Sequence, residues 1–557
     1  GPVTSLPPSY AKVHVVKVES FASVPGGAFV FDMPAPLLEL YGKSDVLGDV
    51  YDARQGLATG NNNRFVRYWW EVSRSRIAYG LGSREEAQRS GCLWFPYNKG
   101  GTPVPWWGNQ DHVIAFDDEN FNVLSKLGNK LPSRNRYFKS SITWSNIGSS
   151  GARFRYLPDG FVFDVSGMSL FVDNERKKLE VLGYLNSQMA RKGLDVLAPT
   201  LNYQVGDVAR MPLVTGDNDH ERVSELVHLA RAEWAEFETA HEFQASPFVG
   251  SRRPTVKTAG EEVSGVRRTR GRRIASLEEA SNAYWETRIA ELAGYDSASF
   301  PAMTARPVVF RSTAEDSSDL VSFAVGCMFG RYSLDEPGLI LADQGATVQD
   351  YLAKVPSPTF APDKDNVIPV VDGDWFEDDI VARFRTFLRV AFGEEYFEEN
   401  LRFVTESLGV KDIRDYFVKS FYKDHVQRYK KRPIYWLFSS PKGSFNALIY
   451  LHRYTPSTVS TVLNEYLREF TAKLSSSLQQ QERLAAGGGT PRQQAAAQKE
   501  ADRLRKVLLE LEEYEHDVLY PLASRQLAID LDDGVKANYP KFGAALKKIP
   551  GLEASDE

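Results

Sequence analysis

In RQGLATGNNNRFVRYWW, Arg54 to Trp70, two glycines bracket a short loop and three asparagines follow. Arg64 and Arg67 then interleave with Phe65, Tyr68, Trp69 and Trp70. Cations beside amides and rings suit a polyanion: arginine neutralises phosphate, Asn and Gln read base edges, and glycine admits close backbone approach. A dinucleotide-binding loop would need a third glycine and a helix behind it, whereas Arg64 to Trp70 reads as a strand. A second stretch, SRNRYFKSSITWSNIGSSGARFRY (Ser133 to Tyr156), carries five bases and no acid. Between them lies LWFPYNKGGTPVPWWGNQDH, and six of the ten tryptophans fall between Trp69 and Trp144. The competing interpretation is a β-domain whose aromatics are core and whose arginines are solvated; for most single tryptophans it is the better one.

Catalytic signatures are scarce. The eight histidines are scattered, and Cys92 and Cys327 lie far apart, so no metal site is expected. His241-Glu242 lacks the second histidine of a zincin, and neither a P-loop nor a G-x-S-x-G elbow occurs. APDKDN (Ala361 to Asn366) is the closest imitation of a nuclease PD-(D/E)xK motif, without a convincing partner carboxylate. A hydrolase or nuclease in the helical half therefore has no supporting constellation. SLPPSYA (Ser5 to Ala11) invites comparison with the Asn/Asp-Pro-Pro-aromatic loop of amino-methyltransferases. Leu6, however, stands where a hydrogen-bonding side chain is required, and Ser9 separates the aromatic from the prolines. A linker accounts for it better.

The elements that must position the basic stretches follow from patterning. At 557 residues, three or four domains are expected. The net charge of −6 conceals two islands, Tyr51–Thr215 and Ser251–Ala275, each of +6. Two cysteines fit a reducing, cytoplasmic compartment, and no apolar run is long enough to span a membrane. The opening Gly-Pro reads as the remnant of a removed tag, so a fragment of a longer protein is expected. AKVHVVKVESF alternates like an edge strand, and residues 51–170 read as short strands and long loops. ERKKLEVLGYLNSQMARKGLDVL keeps helical spacing to Pro199, and a helix follows Asp217 or Asn218 as its cap. SRRPTVKTAGEEVSGVRRTRGRR lacks periodicity and reads as a flexible linker or a loop ordered only by a partner. RPIYWLFSSPKGSFNALIYLHRY reads as a β-hairpin. Two amphipathic stripes, Val459–Leu474 and Leu504–Leu522, flank the low-complexity LAAGGGTPRQQ and predict an antiparallel helical hairpin.

In order along the chain, ARQGLATGNNNRFVRYWWEV, LWFPYNKGG, WWGNQDHVI, RYFKSSITWS, LNYQVGDVARMPL, AVGCMFGRYSLDEPGL, KKRPIYWLFSSPKGSFNALIYLHRY, LEEYEHDVLYPLA and IDLDDGVKANYPKFGAALKKIPGL resemble the C-terminal half or more of the PglX family. These are N6-adenine DNA methyltransferases of BREX phage-defence systems, related to type IIG restriction–modification enzymes and to the DISARM methyltransferase. The resemblance covers nearly all of the chain. The family's S-adenosylmethionine-binding glycine motif and Asn-Pro-Pro-Tyr loop have no equivalent here, so no methyl transfer by this chain alone is expected. S-adenosylmethionine is implied for the full-length family member, and no cofactor or metal for this chain.

The implied fold is α+β and multidomain: a β-rich target-recognition domain with long loops, then a mostly helical domain containing both hairpins. The expected boundaries are 1–45 for tag remnant and connector and 46–215 for target recognition. Residues 216–275 form a helical spacer and basic linker, 276–456 a helical domain with the β-hairpin near 433–454, and 457–557 the helical hairpin and tail. DNA-contacting candidates are Asn62 and Arg64 in the first loop, with Gln55 and Asn63 beside them. Lys99 and Asn109 lie near the second loop, and Arg134, Arg136, Lys139 and Arg153 in the third. Expected partners are double-stranded DNA, other BREX defence proteins and phage-encoded DNA mimics in a bacterial cytoplasm, without a membrane. The alternative is a scaffold that binds defence proteins rather than DNA.

Overall fold

The computed structural model describes Val24 and residues 32–146, 151–200, 202–296 and 307–553. AKVHVVKVESF and SLPPSYA lie outside these described residues. The chain is an α+β protein whose residues sort into two compact units. The first combines the residues up to Val66 with Ile77–Trp234 and Arg267–Val309; the second takes Arg67–Arg76, Ala235–Val266 and Phe310–Glu557.

The strands of the first unit are β1 (Asp52–Arg54), β2 (Trp94–Asn98), β3 (His112–Ala115), β4 (Ser141–Trp144), β5 (Phe154–Leu157), β6 (Val162–Phe163) and β7 (Ser169–Phe171). One antiparallel sheet runs β1-β7-β4-β5, with Ile142 opposite both Tyr156 and Leu170. In another sheet β2 lies between antiparallel β3 and parallel β6. All five residues of β2 and all four of β4 are buried. Their apolar runs therefore report strands covered on both faces rather than alternation.

Helix α1 (Asp118–Leu124) carries Phe121 beside this sheet's loops. The helix expected across Glu175–Leu197 is two, α2 (Glu175–Asn186) and α3 (Gln188–Leu197). Ser187 adopts an extended backbone between them, and its hydroxyl caps the Ala190 N–H. The next helix, α4 (His220–Trp234), starts later than its expected cap at Asp217 or Asn218. Glu180 of α2 accepts the N–H groups of Asp219 and His220, both at 3.0 Å, doing from a distance what a local cap would do.

The basic stretch expected to be a flexible linker is helical from Val256, as the start of the 38-residue α5 (Val256–Ala293). Val256, Ala259 and Val263 are buried, and after an exposed interval Ile274, Leu277, Ser281, Trp285 and Ile289 are buried again. Lys, Arg, Glu and Ala are strong helix formers, so two short anchored stripes carry the polar centre between them. Arg273 adds a two-pronged pair to Glu225 of α4 at 2.6 and 2.8 Å.

In the second unit, α6 (Thr313–Phe329) is closed by a Ser312–Glu315 capping box. Helix α7, residues 413–428, contains a π turn at Phe417–Phe421. A short β8 (Ile368–Pro369) borders the expected hairpin, β9 (Tyr435–Ser439) and β10 (Asn446–Tyr450). Every residue of both hairpin strands is buried, so the alternation in RPIYWLFSSPKGSFNALIYLHRY did not mark a solvent face. The helical hairpin is present as α8 (Arg468–Gly487) packed on α9 (Pro491–Tyr514). LAAGGGTPRQQ is mostly helical, because Thr490 and Gln493 form a capping box with Pro491 at the first turn. The buried Glu510 of α9 accepts the Ser440 hydroxyl at 2.6 Å, the Lys442 N–H at 2.9 Å and the Ser444 hydroxyl at 2.5 Å. The PKGS turn is thus clasped by a carboxylate.

Candidate nucleic-acid interface

The first loop leaves β1 at Gln55 and passes so close to β6 that glycine is obligatory. A Cβ on Gly56 would lie 1.9 Å from the Phe163 carbonyl oxygen. Leu57 N–H donates to that carbonyl at 2.9 Å, and Val165 N–H returns a bond to Leu57 at 3.0 Å. Beyond it, Asn61 caps the helical turn Asn62–Phe65 by accepting the Arg64 N–H at 3.2 Å. Asn62 accepts the Thr59 hydroxyl at 2.7 Å, and the Arg64 guanidinium lies 4.9 Å from the Phe65 ring centroid. Gln55, Asn62, Asn63 and Arg64 are all exposed.

A second loop, residues 125–139, is stapled to the first. Asn129 accepts the Ala58 N–H at 2.8 Å and donates to the Gly56 carbonyl at 3.0 Å, while the Ser133 hydroxyl donates to the Gln55 carbonyl at 3.0 Å. Gly128, at φ +53°, would place a Cβ 1.8 Å from the Ala58 carbonyl oxygen. Lys130, Leu131 and Ser133 also occupy the left-handed region. Such a run of non-glycine residues is costly and persists where neighbouring bonds impose it. Arg134 supplies two of those bonds, to the carbonyls of Leu131 at 3.2 Å and Lys130 at 3.1 Å. Its guanidinium lies 5.6 Å from the Phe121 ring centroid, and Arg84 lies 4.0 Å from the same centroid. Lys139 is exposed and donates to the Gly82 carbonyl at 2.8 Å.

The stapled loops bring Gln55, Asn62, Asn63, Arg64 and Arg134 onto one stretch of surface. They add Lys126, Asn129, Lys130 and Asn135, all exposed, which sequence reasoning missed. The signal was there: SKLGNKLPSRNR mixes bases with Gly and Asn as the first loop does, but the chosen window opened at Ser133.

The remaining candidates are held elsewhere. Arg136 is gripped by Asp52 at 2.7 and 2.9 Å and by Asp173 at 3.0 Å. The Arg136 hydrogen bond, in turn, holds the Asp52 carboxyl below its ordinary pKa. Lys99 pairs with Asp164 at 3.4 Å. Asn109, at φ +58°, donates to the Thr102 carbonyl at 2.7 Å. Arg153 is half-buried and donates to the Ala152 carbonyl at 3.1 Å. Arg155, from the same basic stretch, is buried, and burial pushes its pKa down to about 10.

The aromatics of the opening motif are not a stacking platform. All six tryptophans between Trp69 and Trp144 are buried. Beyond Val66 the motif belongs to the second unit, where Arg67 donates to the Asp532 carbonyl at 3.0 Å. Trp69 donates to Thr239 at 2.8 Å and Trp70 to Arg432 at 3.0 Å. The motif expected as one strand is a helical turn, then Val66–Tyr68 as strand, then a 3-10 turn at Trp69–Glu71. Its first half builds the loop and its second half anchors a core.

Among the described residues no group of three or more His, Cys, Asp or Glu side chains is placed to hold a metal ion. No helix among them is long and apolar enough to cross a membrane. Cations, amides and loops held by hydrogen bonds can grip and position a polyanion.

Sequence comparison places the chain beside two curated relatives. It is 31% identical over 562 aligned positions to the adenine-specific methyltransferase BrxX of Escherichia coli O9:H4 (strain HS), covering 96% of this chain and 46% of that protein. It is 32% identical over 573 aligned positions to the adenine-specific methyltransferase PglX of Lacticaseibacillus casei (strain Zhang), covering 98% and 47%. The chain thus spans about half the length of the curated relatives it matches. No family model matches it.

Proposed function

For a chain that is PglX-like along nearly its whole length, we propose that it is the DNA-recognising part of an adenine-specific DNA methyltransferase of BREX-type phage defence. The stapled loop pair carries this proposal: it ties the loop that bears Gln55, Asn62, Asn63 and Arg64 to the loop that bears Arg134. Fixed cations set the register on phosphates, and the neighbouring amides are the groups that can read bases in a groove. Methyl transfer from S-adenosylmethionine belongs to another part of the polypeptide. Host marking then depends on this chain for choosing the adenine, not for modifying it.

The test is fluorescence anisotropy of the chain with labelled duplexes at low and moderate salt. Arg64→Ala and Arg134→Ala should each weaken binding and lower the salt slope by about one. Unchanged affinity in the double charge reversal Arg64→Glu/Arg134→Glu would place DNA elsewhere. A docking role for the second unit is favoured by a groove lined by lysines around apolar side chains.

A further inference from the structure

The second unit holds a groove of about 760 Å³ that the DNA proposal does not use. One wall is α7, where Val418, Tyr422 and Val426 recur every fourth residue and form an apolar stripe about two turns long. Leu437 of β9 and Ile549 extend this floor. Seven lysines line the groove. Lys419 and Lys423 rise from α7, Lys442 from the hairpin turn, and Lys547 and Lys548 from the far wall. Lys430 and Lys431 close one end, both with left-handed backbones at φ +52° and +59°. No Asp or Glu is among the described residues lining the groove, in a chain whose net charge is −6. Lys419 is paired, with Asp415 on its own helix at 2.7 Å.

A nucleic-acid backbone would use the lysines but has nothing to bury on an apolar floor. A neutral apolar helix would use the floor but gain nothing from the lysines. Charge complementarity and the two-turn apolar stripe together select a segment with both properties. We propose that this groove docks an acidic, amphipathic peptide segment of a partner protein. Its apolar side chains lie at helical spacing against Val418, Tyr422, Val426 and Leu437, and its carboxylates face the lysine rim.

The test uses the whole chain and a labelled helical peptide with leucine at i, i+4 and i+7 and glutamate elsewhere, followed by anisotropy. Binding is expected for the wild type. It should weaken at least about tenfold for Lys423→Glu/Lys431→Glu/Lys548→Glu, as losing several complementary charges requires. A comparable loss is expected for Val426→Asp, which leaves the lysines intact. Melting curves show that each variant is folded. Equal binding of a glutamate peptide without leucines would overturn the proposal, because charge alone would then suffice. So would unchanged affinity in the triple variant, or no binding by the wild type. Duplex DNA that displaces the peptide, and whose own affinity falls in the same triple variant, would reassign the groove to nucleic acid.

Discussion

The carboxamide of Asn129 holds Ala58 from outside its own loop, accepting the Ala58 N–H at 2.8 Å while donating to Gly56 at 3.0 Å. One side chain thus satisfies two backbone groups of a loop that has few partners of its own. Asn129→Ala should cost about 0.5–1.5 kcal/mol and speed hydrogen exchange selectively at 57–64. DNA affinity should fall although Arg64 and Arg134 remain. Unchanged exchange at those amides would mean the staple does not order the loop.

Gly128 tests the same contact sterically. With φ at +53° and the Ala58 carbonyl oxygen 1.8 Å from any Cβ, Gly128→Ala must push the two loops apart. Its destabilisation in urea should exceed the ~1 kcal/mol typical of a point change, whereas Gly91→Ala, with φ +66° but open space around it, should cost less.

Arg136 should behave unlike Arg64. Its guanidinium is already bound to Asp52 and Asp173, so Arg136→Ala should lower the melting temperature. A half-exposed ion pair of this kind is worth up to about 1 kcal/mol. The salt slope of DNA binding should stay near the wild-type value. A slope reduced as far as in Arg64→Ala would show that Arg136 leaves its carboxylates for phosphate.

Glu510→Gln should loosen the hairpin turn. Four donors converge on this carboxylate, the hydroxyls of Ser440 and Ser444 and the N–H groups of Lys442 and Ser444. Although burial raises its pKa, these bonds outweigh burial and hold the carboxyl below its ordinary value. The stability it contributes is therefore present above the unfolded pKa and lost as pH falls through the folded one. At neutral pH the substitution should cost about 1–3 kcal/mol, with faster exchange at 442–445.

Two buried groups give opposite pH slopes. Burial pushes the His452 pKa from 6.5 down to about 3, so between these values the unfolded chain carries a proton the folded one lacks. Stability should therefore decrease as pH is lowered through that window, by about 1.4 kcal/mol per unit for one proton. Asp363 is raised from 3.8 to about 7, first by burial and then by Asp365, so its contribution is lost as pH rises toward 7. Denaturant titrations at stepped pH should show the acid-side slope reduced by about 1.4 kcal/mol per unit in His452→Gln. An unchanged slope would mean His452 is protonated in the folded state.

Local patterns were legible where local physics decides the outcome. The β-hairpin, with its Ser440–Gly443 turn, and the stripes of α8 and α9 follow from turn chemistry and periodicity, and they are found where expected. What failed depended on distant partners. Residues 256–273 look unstructured in sequence because the stripes that anchor α5 are short and widely spaced. The anchors of Trp69 and Trp70, the carbonyls of Thr239 and Arg432, lie far along the chain and leave no local pattern. Arg136 and Lys99 could not be told from Arg64 by type or spacing; Asp52, Asp173 and Asp164 make the difference. The staple by Asn129 was invisible because one asparagine among many carries no pattern.

The most direct measurement is selection of a randomised duplex pool by this chain at low and moderate salt, followed by sequencing of the retained DNA. The expected result is an enriched asymmetric motif with an invariant adenine, lost when Arg64→Glu and Arg134→Glu are combined. No retention even at low salt, or the same motif selected by the double variant, would contradict a recognition edge built from these two loops.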